Sequence, residues 1–271
     1  MADRPAPDDV AAFRPLAEAL ADAAGAAIRP HFRRRLAVEA KADASPVTVA
    51  DRAAESAMRE LLAARRPGDG VVGEEYGAER AGAEYVWVLD PIDGTKAFIS
   101  GLPTFGTLIA LLHRGRPVLG VIDQPVSGER WLGVAGLGAD LRDGRDAVPR
   151  PIRTRDCASL GEASLFCTAR EQFVGPDGDA YARLVAQVRM TRYGLDCYAY
   201  AMLATGFVDL AVEATLEPYD YLALVPVIEA AGGRISDWDG APLGLASDGR
   251  VVAAGDPRRH SEALAVLRGS G

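Results

Sequence analysis

Cysteine is scarce in this sequence, and the three present, Cys157, Cys167 and Cys197, are an odd number without metal-ligand spacing. That argues against a disulfide scaffold and fits a reducing compartment, so a cytoplasmic location is expected. Histidine is as rare: His31, His113 and His260 share no ligand spacing and read as ordinary surface or core residues. No apolar run approaches the roughly 18 residues of a membrane span. The opening MADRPAPDDV also lacks the apolar stretch of a signal peptide. A surplus of positive charge is missing too. The formal net charge is -8, which weighs against nucleic-acid backbones and anionic membranes as main partners. It leaves room for a phosphorylated substrate, because acidic clusters can hold divalent cations that invert the local field.

What is there is the balance of a soluble globular chain: 271 residues, 49% hydrophobic and 25% charged, enough for one large domain or two modest lobes. Between Asp8 and about Arg35, Phe13, Leu16, Leu20, Ala24 and Ile28 recur at helical spacing, which predicts one helix. KADASPVTVAD reads as a loop into a second helix, with Thr48 as N-cap and Pro67 past its end. GVVGEEYG predicts a short strand ending on Glu74 and Glu75, and EYVWVLD a second strand ending on Asp90. FGTLIALL, PVLGVID and RWLGVA, separated by HRGRP and QPVSGE, predict an antiparallel meander. After about Pro151 strands and helices alternate: SLFCTA, DAYARLVAQV, DCYAYAMLATG, FVDLAVEA, DYLALVPVIEAAGG, GRVVAAG and SEALAVLRG. Stacked α+β layers fit this better than one parallel sheet, with an N-terminal lobe over residues 1–150 and a C-terminal lobe over 151–271.

Carboxylates gather where apolar strands end. Glu74 follows VVG, Asp90 and Asp93 flank Pro-Ile in LDPIDGT, and Asp220 opens a helix in EPYDYLAL. Acids held together at strand ends repel and raise each other's pKa, a conflict that a hard cation such as Mg²⁺ removes, since it prefers oxygen ligands. Pro91 keeps Asp90 extended, and the turn brings Asp93 and the Ile92 carbonyl towards the same point. Gly94 lets the backbone approach a ligand closely, and Gly94 and Thr95 open a short helix whose free N–H groups can grip phosphate. A lone D-x-x-D is ordinarily a turn and a cap; here it stands among further acids.

GEE, WVLDPIDGT and YDYLALVPVIEAAGG occur in that order, and with them the chain resembles the inositol monophosphatase family of Mg²⁺-dependent phosphatases from about residue 10 to about residue 265. The resemblance implies an α-β-α-β-α sandwich of the inositol monophosphatase and fructose bisphosphatase type, a homodimer, a small phosphate ester as substrate and two or three Mg²⁺ ions per site. It implies that Glu74, Asp90 and the Ile92 carbonyl bind one ion, that Asp90, Asp93 and Asp220 bind another, and that Glu74 reaches a third. By the same resemblance Thr95, polarised by Asp51, helps activate water, the Gly94 and Thr95 amides hold phosphate, and Lys41 lies on a mobile loop that closes on the metals. Tyr219 stands where the family usually has tryptophan, an aromatic for an aromatic.

Glu213 matches the family's hydroxyl-binding glutamate. Asp196, in YGLDCYAY, falls where inositol phosphatases carry a small neutral residue. Two acids near the leaving group point to a cationic alcohol. The sequence around them resembles the histidinol-phosphate phosphatases of the family; the alternative is an inositol-1-phosphate or broad sugar phosphatase. Asp196 also reads as the N-cap of the next helix, and it could serve both roles. GVAGLGAD and SDWDG read as turns; Tyr198 and Tyr200 could line a pocket, though aromatics on a short helix are more often core.

Overall fold

The structure, a computed structural model, describes residues 5–34, 39–40 and 46–269, with the backbone alone for 39–40 and 46–47. Lys41 lies outside the described residues.

The first helical stretch is broken in two. Helices α1 (Pro7–Ala11) and α2 (Arg14–Ile28) meet at Ala12 and Phe13, and a 3₁₀ turn over Arg29–His31 closes the second. Pro15 explains the restart, because it lacks an N–H and is tolerated only in a first turn; Pro30 ends the run in the same way. The short pair β1 (Glu39–Ala40) and β2 (Pro46–Val47) leads to α3 (Val49–Arg65). Thr48 caps α3 as expected, in a capping box with Asp51: its hydroxyl accepts the Ala50 N–H at 3.1 Å, and Asp51 Oδ2 accepts the Thr48 N–H at 2.9 Å.

The large sheet contains β3 (Gly70–Gly73), β4 (Gly77–Glu79), β5 (Tyr85–Asp93), β6 (Gly106–His113), β7 (Arg116–Gln124), β8 (Glu129–Val134), β9 (Gly138–Asp143) and β10 (Arg150–Pro151), in the order β10-β9-β8-β7-β6-β5-β3-β4. The predicted meander is β6-β7-β8, continued antiparallel by β5 on one side and by β9 and β10 on the other, and β3 joins parallel to β5 and antiparallel to β4. Helix α4 (Thr95–Ile99) leaves the end of β5. The smaller sheet contains β11 (Ser164–Cys167), β12 (Met190–Tyr193), β13 (Leu210–Glu213), β14 (Arg234–Ser236) and β15 (Val251–Ala254), in the order β12-β11-β13-β15-β14. Its helices are α5 (Pro176–Val185), α6 (Asp196–Ala204), α7 (Pro218–Tyr221), α8 (Leu224–Ala230) and α9 (Pro257–Leu267). The single helix expected over DYLALVPVIEAAGG is thus two, with Leu222 and Ala223 between them.

Three buried clusters define five layers. Trp87, Leu89, Ile109, Leu111 and Val121 face α2 and α3, with Leu20, Ala24 and Met58. Val86, Val88, Leu108, Ala110 and Ile122 face the other way, onto Tyr200 of α6, Ile228 of α8 and Ala211 of the smaller sheet. That sheet's outer face packs Leu165, Val212 and Val252 against Leu184 of α5 and Ala263 of α9. Strict alternation along β5 and β6 sends side chains to opposite faces, and both faces are covered. The result is the layered α-β-α-β-α arrangement.

Candidate active site

The acids converge because of local features of the backbone. Strand β5 does not end at Asp90 but runs to Asp93, through a bulge. Asp90 pairs with Leu108 and Asp93 with Gly106, so β5 carries one residue more than β6. Pro91 sits in the bulge, where no ladder N–H is required, and its carbonyl accepts the Thr107 hydroxyl at 2.8 Å. The extra residue re-aims Asp93 towards Asp90. Because β3 runs beside β5, and the Glu74 N–H donates to the Leu89 carbonyl at 3.2 Å, Glu74 lies next to Asp90. The corner that carries it is pinned by buried Glu55, which accepts the N–H groups of Glu75 (2.7 Å) and Tyr76 (3.2 Å) and pairs with Arg59 (2.7 Å).

Asp220 comes from α7, far along the chain. It closes a capping box at the start of α7, accepting the Glu217 N–H at 2.7 Å. The α7–α8 junction rests directly on the large sheet: a Cβ at Gly120 would stand 2.0 Å from the Ala223 carbonyl oxygen. One carboxylate oxygen from each of Asp90, Asp93 and Asp220 lies within 4.8 Å of the others.

Their electrostatics are those of an unneutralised cluster. Asp90 is buried, and its carboxyl is pushed well above the usual range by burial first, then by the charges of Glu74, Asp93 and Asp220. Asp93 is raised by burial and by Asp196 and Asp220, against the Cys197 N–H that it accepts at 2.6 Å. Asp220 is pushed up to about 7, mainly by burial. Among the described residues no arginine or lysine forms an ion pair with these three, and Asp90 Oδ1 is buried without a hydrogen-bond partner. An orphaned oxygen among mutually repelling carboxylates fits a hard divalent cation, whose ligands are oxygens.

Gly94 has φ +87°, the left-handed conformation that glycine adopts without penalty, and caps α4; a Cβ there would lie 2.8 Å from the Asp196 carboxyl carbon. The Thr95 hydroxyl donates to the Ile92 carbonyl at 3.2 Å. Asp51 makes no hydrogen bond to Thr95 here. Its Oδ2 accepts from the Thr48 N–H and hydroxyl, and its buried Oδ1 has no partner. Burial raises the Asp51 carboxyl.

Beside the acids a narrow cleft is lined by Asp93, Asp196, Glu213 and Asp220, with Thr168, Cys197 and Tyr200. Asp196 is the first residue of α6, with φ +47°. No side-chain capping bond is present at that helix start, so the capping role expected of Asp196 is not seen. Burial pushes its carboxyl up to about 6, with Lys96 opposing. Glu213 is buried and pushed up to about 7 by burial. Sequence reasoning missed Thr168 and Cys197, and it weighed Tyr200 as a pocket residue but favoured core. Tyr200 is core and cleft wall at once, and its buried hydroxyl has no hydrogen-bond partner. A separate cavity of about 600 Å³ between Arg14, Leu137, Asp140 and Glu229 contains none of these acids.

The layered fold and the all-carboxylate cluster at the end of β5 fit a metal-dependent phosphoric monoester hydrolase, the class that the comparisons define. The sequence profile of the inositol monophosphatase family matches residues 9–270, and the chain belongs to that family. It is 48% identical over 264 residues to the chloroplastic bifunctional phosphatase IMPL2 of Arabidopsis thaliana, covering 94% of this chain and 75% of that protein. It is 39% identical over 263 residues to a histidinol-phosphatase of Mycobacterium tuberculosis, covering 93% and 96%. The solved structure of an inositol monophosphatase from Zymomonas mobilis superposes with a TM-score of 0.86 at 46% identity, covering 98% of this chain and all of that one. No helix among the described residues is long and apolar enough to cross a membrane.

Proposed function

We propose that this phosphatase hydrolyses L-histidinol phosphate to L-histidinol and phosphate, using Mg²⁺, as a cytoplasmic homodimer in histidine biosynthesis. The observation that carries the reading is the presence of two carboxylates, Asp196 and Glu213, in the cleft beside the acid cluster. A neutral polyol can donate hydroxyl hydrogen bonds to such acids, as the match of Glu213 to a hydroxyl-binding glutamate implies, but it gains no charge pairing from the second one. An alcohol bearing an ammonium and an imidazole pairs with both. The histidinol-phosphatases among the relatives add support.

In this reading Glu74, Asp90 and the Ile92 carbonyl hold one cation and Asp90, Asp93 and Asp220 a second, with Glu74 reaching a third. Bound there, Mg²⁺ supplies a water of lowered pKa and neutralises charge on the leaving oxygen. The chain's own residues do the rest. The Gly94 and Thr95 amides orient the phosphate, and Thr95 with Asp51 takes a proton from the attacking water once the two side chains come together. Asp196 and Glu213 fix the alcohol so that water, phosphorus and ester oxygen lie in line. The N-terminal lobe, residues 1–150, carries most of the metal ligands, and the C-terminal lobe, 151–271, carries Asp220 and the recognition residues.

A second reading, hydrolysis of inositol-1-phosphate or a sugar phosphate, is favoured by the likeness to the inositol monophosphatase of Zymomonas mobilis. Complementation separates them. Expression in a histidine auxotroph that lacks histidinol-phosphate hydrolysis should restore growth without histidine. No rescue from a well-expressed, soluble chain would count against the histidinol assignment.

A further inference from the structure

Glu213 is buried, lines the cleft, and is held by three donors. The Thr168 N–H and hydroxyl donate to Oε1 at 2.7 and 2.9 Å, and Gln172 Nε2 donates to Oε2. Gln172 is itself fixed, because its Oε1 accepts the Ala214 N–H at 2.8 Å. With the carbonyl end committed to an N–H, the NH₂ end has to face Glu213, so the orientation of the amide is determined by its partners. A carboxylate offers about four lone-pair directions, so these donors leave about one for a ligand. They also favour the charged form, against burial and against the neighbouring Asp196 carboxylate. The other titratable groups facing Glu213, Cys167 and Tyr200, are held neutral by burial and bring no positive charge.

We infer that Gln172, with Thr168, is a positioning pair that locks Glu213 as a single outward-facing acceptor for the substrate's polar head, and so sets the preference for a cationic over a neutral ester. This rests on the reading of Asp196 and Glu213 as the site for that head. Neither Gln172 nor Thr168 touches the acid cluster through a hydrogen bond; they act through Glu213.

The test uses Gln172→Met, of similar length but without donor or acceptor, and Thr168→Val, which keeps shape and backbone N–H but loses the hydroxyl. Steady-state kinetics are measured on L-histidinol phosphate and inositol-1-phosphate with Mg²⁺, together with the Tm. In each variant the ratio of kcat/KM for the two esters should fall at least tenfold from the wild-type value, with KM carrying most of the change. Should Gln172→Met not fold, Thr168→Val decides alone. Equal losses on both esters with a lowered Tm, or an unchanged ratio, would overturn the inference, since a merely structural bridge between Gln172 and β13 cannot discriminate between substrates. If the wild type itself prefers inositol-1-phosphate, the histidinol reading falls and the pair is scored on that ester. A tenfold rise in its KM then upholds the positioning of Glu213 while overturning the cationic preference, and an unchanged KM overturns both.

Discussion

Replacing Asp196 by asparagine isolates the charge on which substrate choice is argued to depend. Asparagine is nearly isosteric and tolerates the left-handed φ of +47°, whereas alanine would add backbone strain to the loss of charge. The carboxylate is half-buried, stands against Gly94, and is raised to about 6, so it is predominantly ionised at pH 7.5. Removing one partner of a desolvated charge pair costs about 2–5 kcal/mol. Partial exposure places Asp196 at or below the low end of that range, at about 1.4–2 kcal/mol, or about ten- to thirtyfold in kcat/KM. The ratio of kcat/KM for L-histidinol phosphate to that for inositol-1-phosphate should fall by that factor in Asp196→Asn, with a Tm close to wild type because no capping bond is lost. Equal loss on both esters with a lowered Tm would refute the reasoning and return Asp196 to a structural role.

In Asp93→Asn one ligand charge goes while the Cys197 N–H keeps an acceptor, so the fold should survive and activity should fall by at least about 10²-fold, the common cost of losing one electrostatic element; a near-wild-type rate with unchanged Mg²⁺ dependence would remove Asp93 from the ligand set. Li⁺ should inhibit in competition with Mg²⁺, as the family resemblance implies, and an insensitive enzyme would cancel that carry-over alone. Buried His260, 3.0 Å from the Ser236 hydroxyl, is lowered from 6.5 to about 4 by burial and then by Arg234. The unfolded chain therefore binds the extra proton first, so this contribution is complete above about pH 6.5 and is lost as the pH falls towards 4. Urea melts of wild type and His260→Gln should show the stability difference shifting against the wild type between pH 7.5 and 5; a constant difference would contradict the shift.

Much of the site was legible because its parts are local. The DPIDGT run encodes strand, bulge and helix start within a few residues, and proline and glycine report backbone requirements directly. Thr48 and Pro67 marked the limits of α3 for the same reason. The central strands were readable as apolar runs but not as to face, since both sides of β5 and β6 are buried and no polar alternation shows. In the two larger sheets the strands β4, β9, β10, β12 and β14 were missed: β9 begins within GVAGLGAD, read as a turn, and the other four are two to four residues long and lie at sheet edges. The break between α7 and α8 has a local signal that was passed over: Pro226 has no N–H to continue a helix from Leu222 and sits in the first turn of α8, where that is tolerated. Gln172 had no local signal, because its partner Glu213 is 41 residues away.

The decisive measurement is phosphate release from L-histidinol phosphate and inositol-1-phosphate, side by side with Mg²⁺ and again with excess chelator. Turnover should depend on Mg²⁺ and be abolished by chelator, with kcat/KM at least tenfold higher for the histidinol ester. Full turnover in chelator, or an equal or greater kcat/KM for inositol-1-phosphate, would contradict the assignment as a metal-dependent histidinol-phosphate hydrolase.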